Sequence, residues 1–352
     1  MQRSEKPRRC TLQDIAERTG FTINTVSRAL KDKSDISVAT REQIKAVADE
    51  MGYIRNRAAS SLRSGRTKTI GVIVGGMSNP YYGIFTDAVQ NAAAELGYSI
   101  LIFCSRDNAD LELHAVEIAL SYQVDGILLF PCAGSGRTVE RLRAVGMPYV
   151  LMARHLSRQE DDYVVCNDEE GGYLAARHLI DAGHKRLGFL SAFDVVYSSE
   201  NRKRGFYRAL EEAGLPRENG IYAHCSNTES TREQLEQWQK IGVTGVFVFC
   251  DEEAWCAVTL MHEQGRSVPR DMAFVGFDNI QGILPMPAPL CSVGYNIKDM
   301  AKNGIELIRR RIHEPDLPPQ HLIYPPHIVC RGSCGERNCP HPSIPDIYSY
   351  LR

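Results

Sequence analysis

Four side chains in the stretch TINTVSRAL carry chemistry suited to a base edge: Ile23, Asn24, Ser27 and Arg28. On a helical wheel they fall opposite the apolar stripe Val26, Ala29, Leu30. A guanidinium matches the O6 and N7 acceptors of guanine, a carboxamide matches N6 and N7 of adenine, and hydroxyls reach phosphates or base edges. A second set lies in the tail, where Cys330, Cys334, Cys339 and His341 offer thiolate and imidazole donors. Their spacing, C-x3-C-x4-C-x-H, fits no established metal motif, and Cys330 falls at the end of an expected buried strand, so no metal is expected. No phosphate-cradling glycine loop, HExxH or spaced nucleophile and base is present, so no catalytic set is expected and the chain reads as a non-enzyme.

The base-facing set needs a scaffold, and three short helices can supply it. Thr11 is a plausible N-cap for a helix with Leu12, Ile15 and Ala16 on one side, broken at Gly20. Thr22 caps the second, and Ser37 caps a third that buries Ile44, Val47, Ala48 and Met51 and stops at Gly52. No stripe is wide enough to fold alone. A second helix docked on a first by one side, with polar groups outward, is the helix-turn-helix plan. A small bundle used for protein contacts has the same pattern.

Charge favours a polyanion partner. Residues 1–68 hold 15 Lys and Arg against 8 Asp and Glu, whereas the remaining residues hold 26 against 35. No apolar run approaches the roughly 20 residues of a bilayer span, and the basic N-terminus lacks an apolar signal core, so a cytoplasmic protein without membrane contact is expected. Cys104, Cys166, Cys250 and Cys291 lie in apolar segments and read as reduced core thiols.

From Thr69 the pattern changes. Apolar runs such as TIGVIV, VDGILLF and VTGVFVF alternate with helical segments such as FTDAVQNAAAELG, the signature of parallel βαβ units. The units are too many for one small sheet, and two similar α/β subdomains flanking a cleft are expected. The fold class is therefore an N-terminal all-α helix-turn-helix domain plus an α/β body of two doubly wound parallel-sheet subdomains. Between the parts, Asn56 to Leu62 has the length of about two helical turns but is a poor helix by itself, suited to forming only with a partner.

The stretch TLQDIAERTGFTINTVSRAL, with NRAASSLRSGRTKTIGV, VDGILLF, DEEGGYLAARHLIDAGHKRLGFL and VPRDMAFVGFDNI, resembles the lactose-repressor (LacI/GalR) family, and the likeness runs from Thr11 to Cys334. The resemblance implies a helix-turn-helix domain over 1–54 and a hinge helix and linker over 55–68. It implies a body over 69–334, with an N-subdomain of about 69–165 and 295–324 and a C-subdomain of about 166–294 and 325–334. Residues 335–352 form an extra tail. The recognition helix would run from Thr22 to about Lys31. Ile23, Asn24 and Arg28 would choose bases, and Thr22, Thr25 and Ser27 would steady the helix. Leu12 and Lys31 also count among the DNA-binding positions. Asn56 and Arg57 would approach the backbone; Ala59 and Leu62 would enter the minor groove, with Leu62 as the wedge that unstacks a central step. A homodimer on a pseudo-palindromic operator in double-stranded DNA is implied, with YYGIFTDAVQNAAAELG at the interface.

The body resembles a periplasmic binding protein, whose ligand sits at the crevice beyond strand ends. The resemblance places Asn79, Tyr81, Tyr82, Arg154, Arg202, Asp251, Asp278 and Tyr295 around a small polar effector, a sugar or sugar derivative; no other cofactor is implied. Two departures, Ala153 and Cys250 where sugar-binding relatives carry Asp and Asn, remove acceptors and point toward an anionic ligand held by Arg154 and Arg202. Two other functions compete with the ligand-responsive repressor. A redox- or metal-responsive regulator would use the Cys tail. A solute-binding protein would share the body but needs an export signal and no basic module.

Overall fold

The computed structural model describes residues 10–54, 65–156, 160–193, 196–284 and 289–336. The expected hinge contacts Asn56, Arg57, Ala59 and Leu62, and the tail residues Cys339 and His341, lie outside them. The chain divides into two compact units at Thr67 and Lys68.

The first unit is three helices: α1 (Leu12–Thr19), α2 (Ile23–Ala29) and α3 (Val38–Glu50). The caps follow from local chemistry. The Thr11 hydroxyl accepts from the Asp14 N–H while the Asp14 carboxylate accepts from the Thr11 N–H, a reciprocal capping box. Thr22 accepts from Thr25 N–H and Ser37 from Thr40 N–H. Ile15, Ala16, Val26, Ala29, Ile44 and Ala48 close the core.

The second unit holds two six-stranded sheets. The first has the order β11-β5-β4-β3-β1-β2, from β1 (Thr69–Val74), β2 (Ser99–Cys104), β3 (Gly126–Leu129), β4 (Tyr149–Ala153), β5 (Tyr163–Cys166) and β11 (His321–Tyr324), all parallel. The second has the order β12-β10-β9-β8-β6-β7, from β6 (Leu187–Ser191), β7 (Gly220–His224), β8 (Gly245–Val248), β9 (Ala273–Phe277), β10 (Cys291–Gly294) and β12 (His327–Val329). Only β12 runs antiparallel in it, against β10. Helices α4 (Pro80–Glu95) and α11 (Ile297–His313) cover one face of the first sheet; α5 (Ala109–Ser121) and α6 (Gly136–Ala144) cover the other. On the second sheet, α7 (Asp168–Asp181) and α8 (Tyr197–Glu212) lie opposite α9 (Thr228–Lys240) and α10 (Asp251–Glu263). Strands covered on both faces are almost wholly apolar: every residue of β3, β5, β6, β8, β9 and β10 is buried, and only Ser191 and Ser292 among them are polar. The chain passes between the sheets after β5, β10 and β11.

Helices α7 and α8 lie unusually close because two glycines stand at their contact. A Cβ on Gly172 would lie 2.1 Å from the Arg202 carbonyl oxygen, and one on Gly205 would lie 1.8 Å from that of Glu169. The approach sets the start of α7 against Arg202.

One thiol expected in a core is not there. Cys104 ends the edge strand β2 and is exposed, because an edge strand has no neighbour beyond it.

Candidate functional site

The α2 surface is divided as its sequence requires. Val26 and Ala29 are fully buried and Leu30 half-buried, while Thr22, Ile23, Asn24, Arg28 and Lys31 are exposed and Thr25 and Ser27 half-exposed. Leu12 is half-buried. Its side chain packs on the three-helix core, because position 12 shares a side of α1 with Ile15 and Ala16. Arg28 pairs with Asp35, a partner the sequence reading missed. Asp35 lies in the turn after α2, and only the folded turn brings it back to the helix. Both groups are about half exposed, so the pair is worth at most about 1 kcal/mol and yields readily to a base. Lys45 binds Asp32 at 2.6 Å, and that hydrogen bond holds the Asp32 carboxyl below its ordinary range.

The second site is a cleft of about 550 Å³ between the two sheets, at the carboxyl ends of their strands. Asn79, Tyr81, Tyr82, Arg154, Arg202, Asp278 and Tyr295 all line it. Asn79 does so while capping α4, accepting from the Tyr81 N–H at 2.9 Å. The Tyr295 hydroxyl donates to Asp278 at 2.9 Å. Burial raises the Asp278 carboxyl and the Tyr295 phenol, and pushes Tyr82 up to about 12. Residues just past the strands adopt left-handed backbone, with Asp107 at φ 50° and Asp278 at 95°, and Ala153 at the end of β4 at 63°. These costly conformations turn side chains into the crevice.

Asp251 is not part of this lining. Its carboxylate is fully buried and accepts from Ser292 Oγ at 2.7 Å and Ile280 N–H at 2.8 Å. It ties Ser292 of β10 to the Ile280 backbone beyond β9, and the cleft is faced by its neighbours Cys250 and Glu252.

Both expected anion-binding guanidiniums are already engaged. Arg154 reaches Asp107 at 3.1 Å and lies 5.3 Å from the Phe193 ring centroid. Arg202 donates to Asp168 at 2.8 Å and to the Phe249 carbonyl at 2.5 Å, with its guanidinium 3.4 Å from the Phe277 centroid. The lining carries Arg106, Arg154 and Arg202 against Asp107, Glu252 and Asp278, a balance of charge. The lining therefore carries no excess of positive charge, and the two guanidiniums are met by Asp107 and by Asp168, which is not itself in the lining. Asp107, Phe193 and Phe249 were missed by sequence reading; the signal was their place just after apolar strands.

Comparisons with known proteins bear on both sites. The model of bacterial regulatory proteins of the lacI family matches residues 11–56, and that of a periplasmic binding protein-like domain matches 176–334. The HTH-type transcriptional regulator DegA of Bacillus subtilis is 30% identical over 334 residues, covering 93% of this chain and 99% of its own. Catabolite control protein A of Priestia megaterium is 29% identical, covering 92% and 98%. Among solved structures, the transcriptional regulator CelR in its cellobiose complex superimposes with a TM-score of 0.67 at 27% identity, covering 92% of this chain and 100% of its own. The lac repressor dimer bound to operator and an anti-inducer gives 0.78 at 22%, covering 91% and 98%, a likeness of fold.

Proposed function

This chain belongs to the lacI family of bacterial regulatory proteins and is a DNA-binding transcriptional regulator, and on that premise we propose that it is a homodimeric repressor whose cleft takes a neutral, polyhydroxylated effector. The observation that carries the effector class is the pairing of Arg154 with Asp107 and Arg202 with Asp168. With these two cations paired and Arg106 offset by the carboxylates of the lining, the cleft carries no net positive charge for a phosphate, while Asp278, Asp107 and the tyrosines offer acceptors and donors to hydroxyls. Phe193 and Phe249 add apolar faces of the kind on which sugar rings rest. The solved complex of CelR with cellobiose supports the same class. The cleft groups bind and orient; we assign them no reaction. A protein that reads the genome resides in the cytoplasm.

Full-length chain screened by thermal shift is expected to gain a few degrees with a neutral mono- or disaccharide at about 100 times its Kd, equivalent to about 2.7 kcal/mol. The same sugars should give no shift with Asp278→Asn. A shift confined to sugar phosphates or other anions would reject the proposal.

The homodimer reading rests on α4 and the edge strand β2. Leu96 and Ile102 are exposed there beside half-buried Ile84, Ala88, Ala92 and Ile100. Two such copies present two α2 helices to half-sites of a pseudo-palindrome. The minor-groove entry of Ala59 and Leu62, and the backbone approach of Asn56 and Arg57, belong to this proposal through the family alone.

Arg28→Ala is expected to lower affinity for a site selected by the parent chain from random-sequence DNA by about 1–3 kcal/mol. Binding to unrelated DNA, with its salt dependence, should stay unchanged. Equal preference for the selected site in variant and parent, read by competition anisotropy, would remove Arg28 from base reading.

A further inference from the structure

In the body, the second sheet assembles a donor set from three separate segments of the chain. His178 comes from α7, Cys291 opens β10, and Cys330 and Cys334 bracket the turn after β12. One donor atom from each, the His ring nitrogen and three sulfurs, lies within 4.8 Å of all the others. We propose that His178 Nε2 and the Sγ atoms of Cys291, Cys330 and Cys334 form a zinc site of the reduced chain.

Geometry supports it first. A tetrahedral zinc with Zn–S bonds of about 2.3 Å holds its sulfurs about 3.8 Å apart. The Cys291 and Cys330 sulfurs are 3.7 Å apart, and those of Cys330 and Cys334 are 3.5 Å apart. Three thiolates with one imidazole is an established structural zinc set, and C-x3-C is a usual spacing for one half of it. Gly332, at φ 96°, makes the turn that brings Cys334 back beside Cys330.

A second observation points to a ligand. His178 Nε2 is buried and makes no hydrogen bond of ordinary geometry among the described residues; the group it interacts with is the Cys291 thiol of the same set, and a metal bond would satisfy both. The surroundings are those of a ligated thiolate. Arg331 N–H donates to Cys291 Sγ at 3.1 Å. Ser333 Oγ accepts from Cys291 N–H at 2.7 Å and donates to the Phe274 carbonyl at 2.6 Å, pinning the turn to the sheet.

Cys330 is disulfide-bonded in this structure, so the set is complete only after reduction. A dithiol reductant does this by exchange: its two thiols become a disulfide, and the two sulfurs of the protein disulfide become thiols. Three thiols then release three protons as Zn²⁺ joins them and the neutral imidazole. The same turn touches the cleft. Arg331 donates to the Leu290 carbonyl at 3.0 Å and to Asn279 Oδ1 at 2.6 Å, next to Asp278. Metal and redox state would thereby bear on the effector site.

The test is anaerobic titration of the dithiol-reduced full-length chain with Co²⁺ as the spectroscopic probe. One equivalent should give the intense visible bands of tetrahedral cobalt and a thiolate charge-transfer band, both bleached by one equivalent of Zn²⁺. Cys291→Ser and Cys334→Ser should each weaken cobalt binding more than ten-fold. Cys339→Ser and Cys225→Ser should leave the bands intact, and the oxidised chain should show none. Absence of tetrahedral bands in the reduced parent, or their loss in Cys339→Ser, would overturn the assignment. If a Cys291 or Cys334 variant does not fold, X-ray absorption of the zinc-loaded parent decides. Three sulfurs at about 2.3 Å and one nitrogen at about 2.0 Å are expected, and a shell of oxygen and nitrogen alone would reject the site.

Discussion

Asp168→Asn should destabilise the body by about 3–5 kcal/mol, because it strands a buried guanidinium. Asp168 and Arg202 are only 4% and 6% exposed, and their 2.8 Å bond lies inside the α7–α8 contact. The pair itself is not a large source of stability. Burial raises the Asp168 carboxyl, and the attraction of Arg202 opposes that rise without cancelling it. Replacing both groups, as Asp168→Leu with Arg202→Met, should therefore recover most of the loss. Urea unfolding of the two variants checks this: similar midpoints for the single and double variants would contradict the stranded-charge account. The double variant should also lose effector binding, since Arg202 lines the cleft.

Gly205→Ala should be nearly as damaging. The added methyl would sit 1.8 Å from the Glu169 carbonyl oxygen and 2.6 Å from the Tyr173 nitrogen. Both are backbone atoms of α7, so no side chain can rotate away and the helices must separate. A cost at or above the upper end of the usual overpacking range, about 1–3 kcal/mol, is expected. The separation would also lengthen the Asp168–Arg202 bond and loosen the cleft wall. Gly136→Ala is the control, because its Cβ would meet nothing within 4 Å. Equal unfolding midpoints for Gly205→Ala and the parent would show that α7 and α8 tolerate a wider spacing.

The two glycines illustrate how legibility divides. GG in DEEGGYLAARH and G in RKRGF look like weak points of helices when read alone. Their reason is the neighbouring helix, which composition does not report. The caps are the opposite case: Thr11, Thr22 and Ser37 were legible because each acts on an N–H three residues away. Asp251 falls between. Its place at the start of α10, after a strand, suits a cleft position, yet Ser292 and Ile280 draw its carboxylate inward.

The sequence by itself determined the elements, their order and the family, because apolar periodicity, caps and turn residues act over a few positions. It also determined which side of α2 faces outward, since one wheel assigns both the stripe and its opposite. Tertiary structure alone decided the partners of charged and metal-ligating groups. Arg28 meets Asp35, Arg154 meets Asp107 across 47 residues, and Arg202 meets Asp168 across 34. His178 meets Cys291 and Cys334 only because α7 packs on the sheet that carries β10 and β12. Electrostatics and coordination depend on distances of a few ångströms, and the fold sets those distances between residues that the chain places far apart.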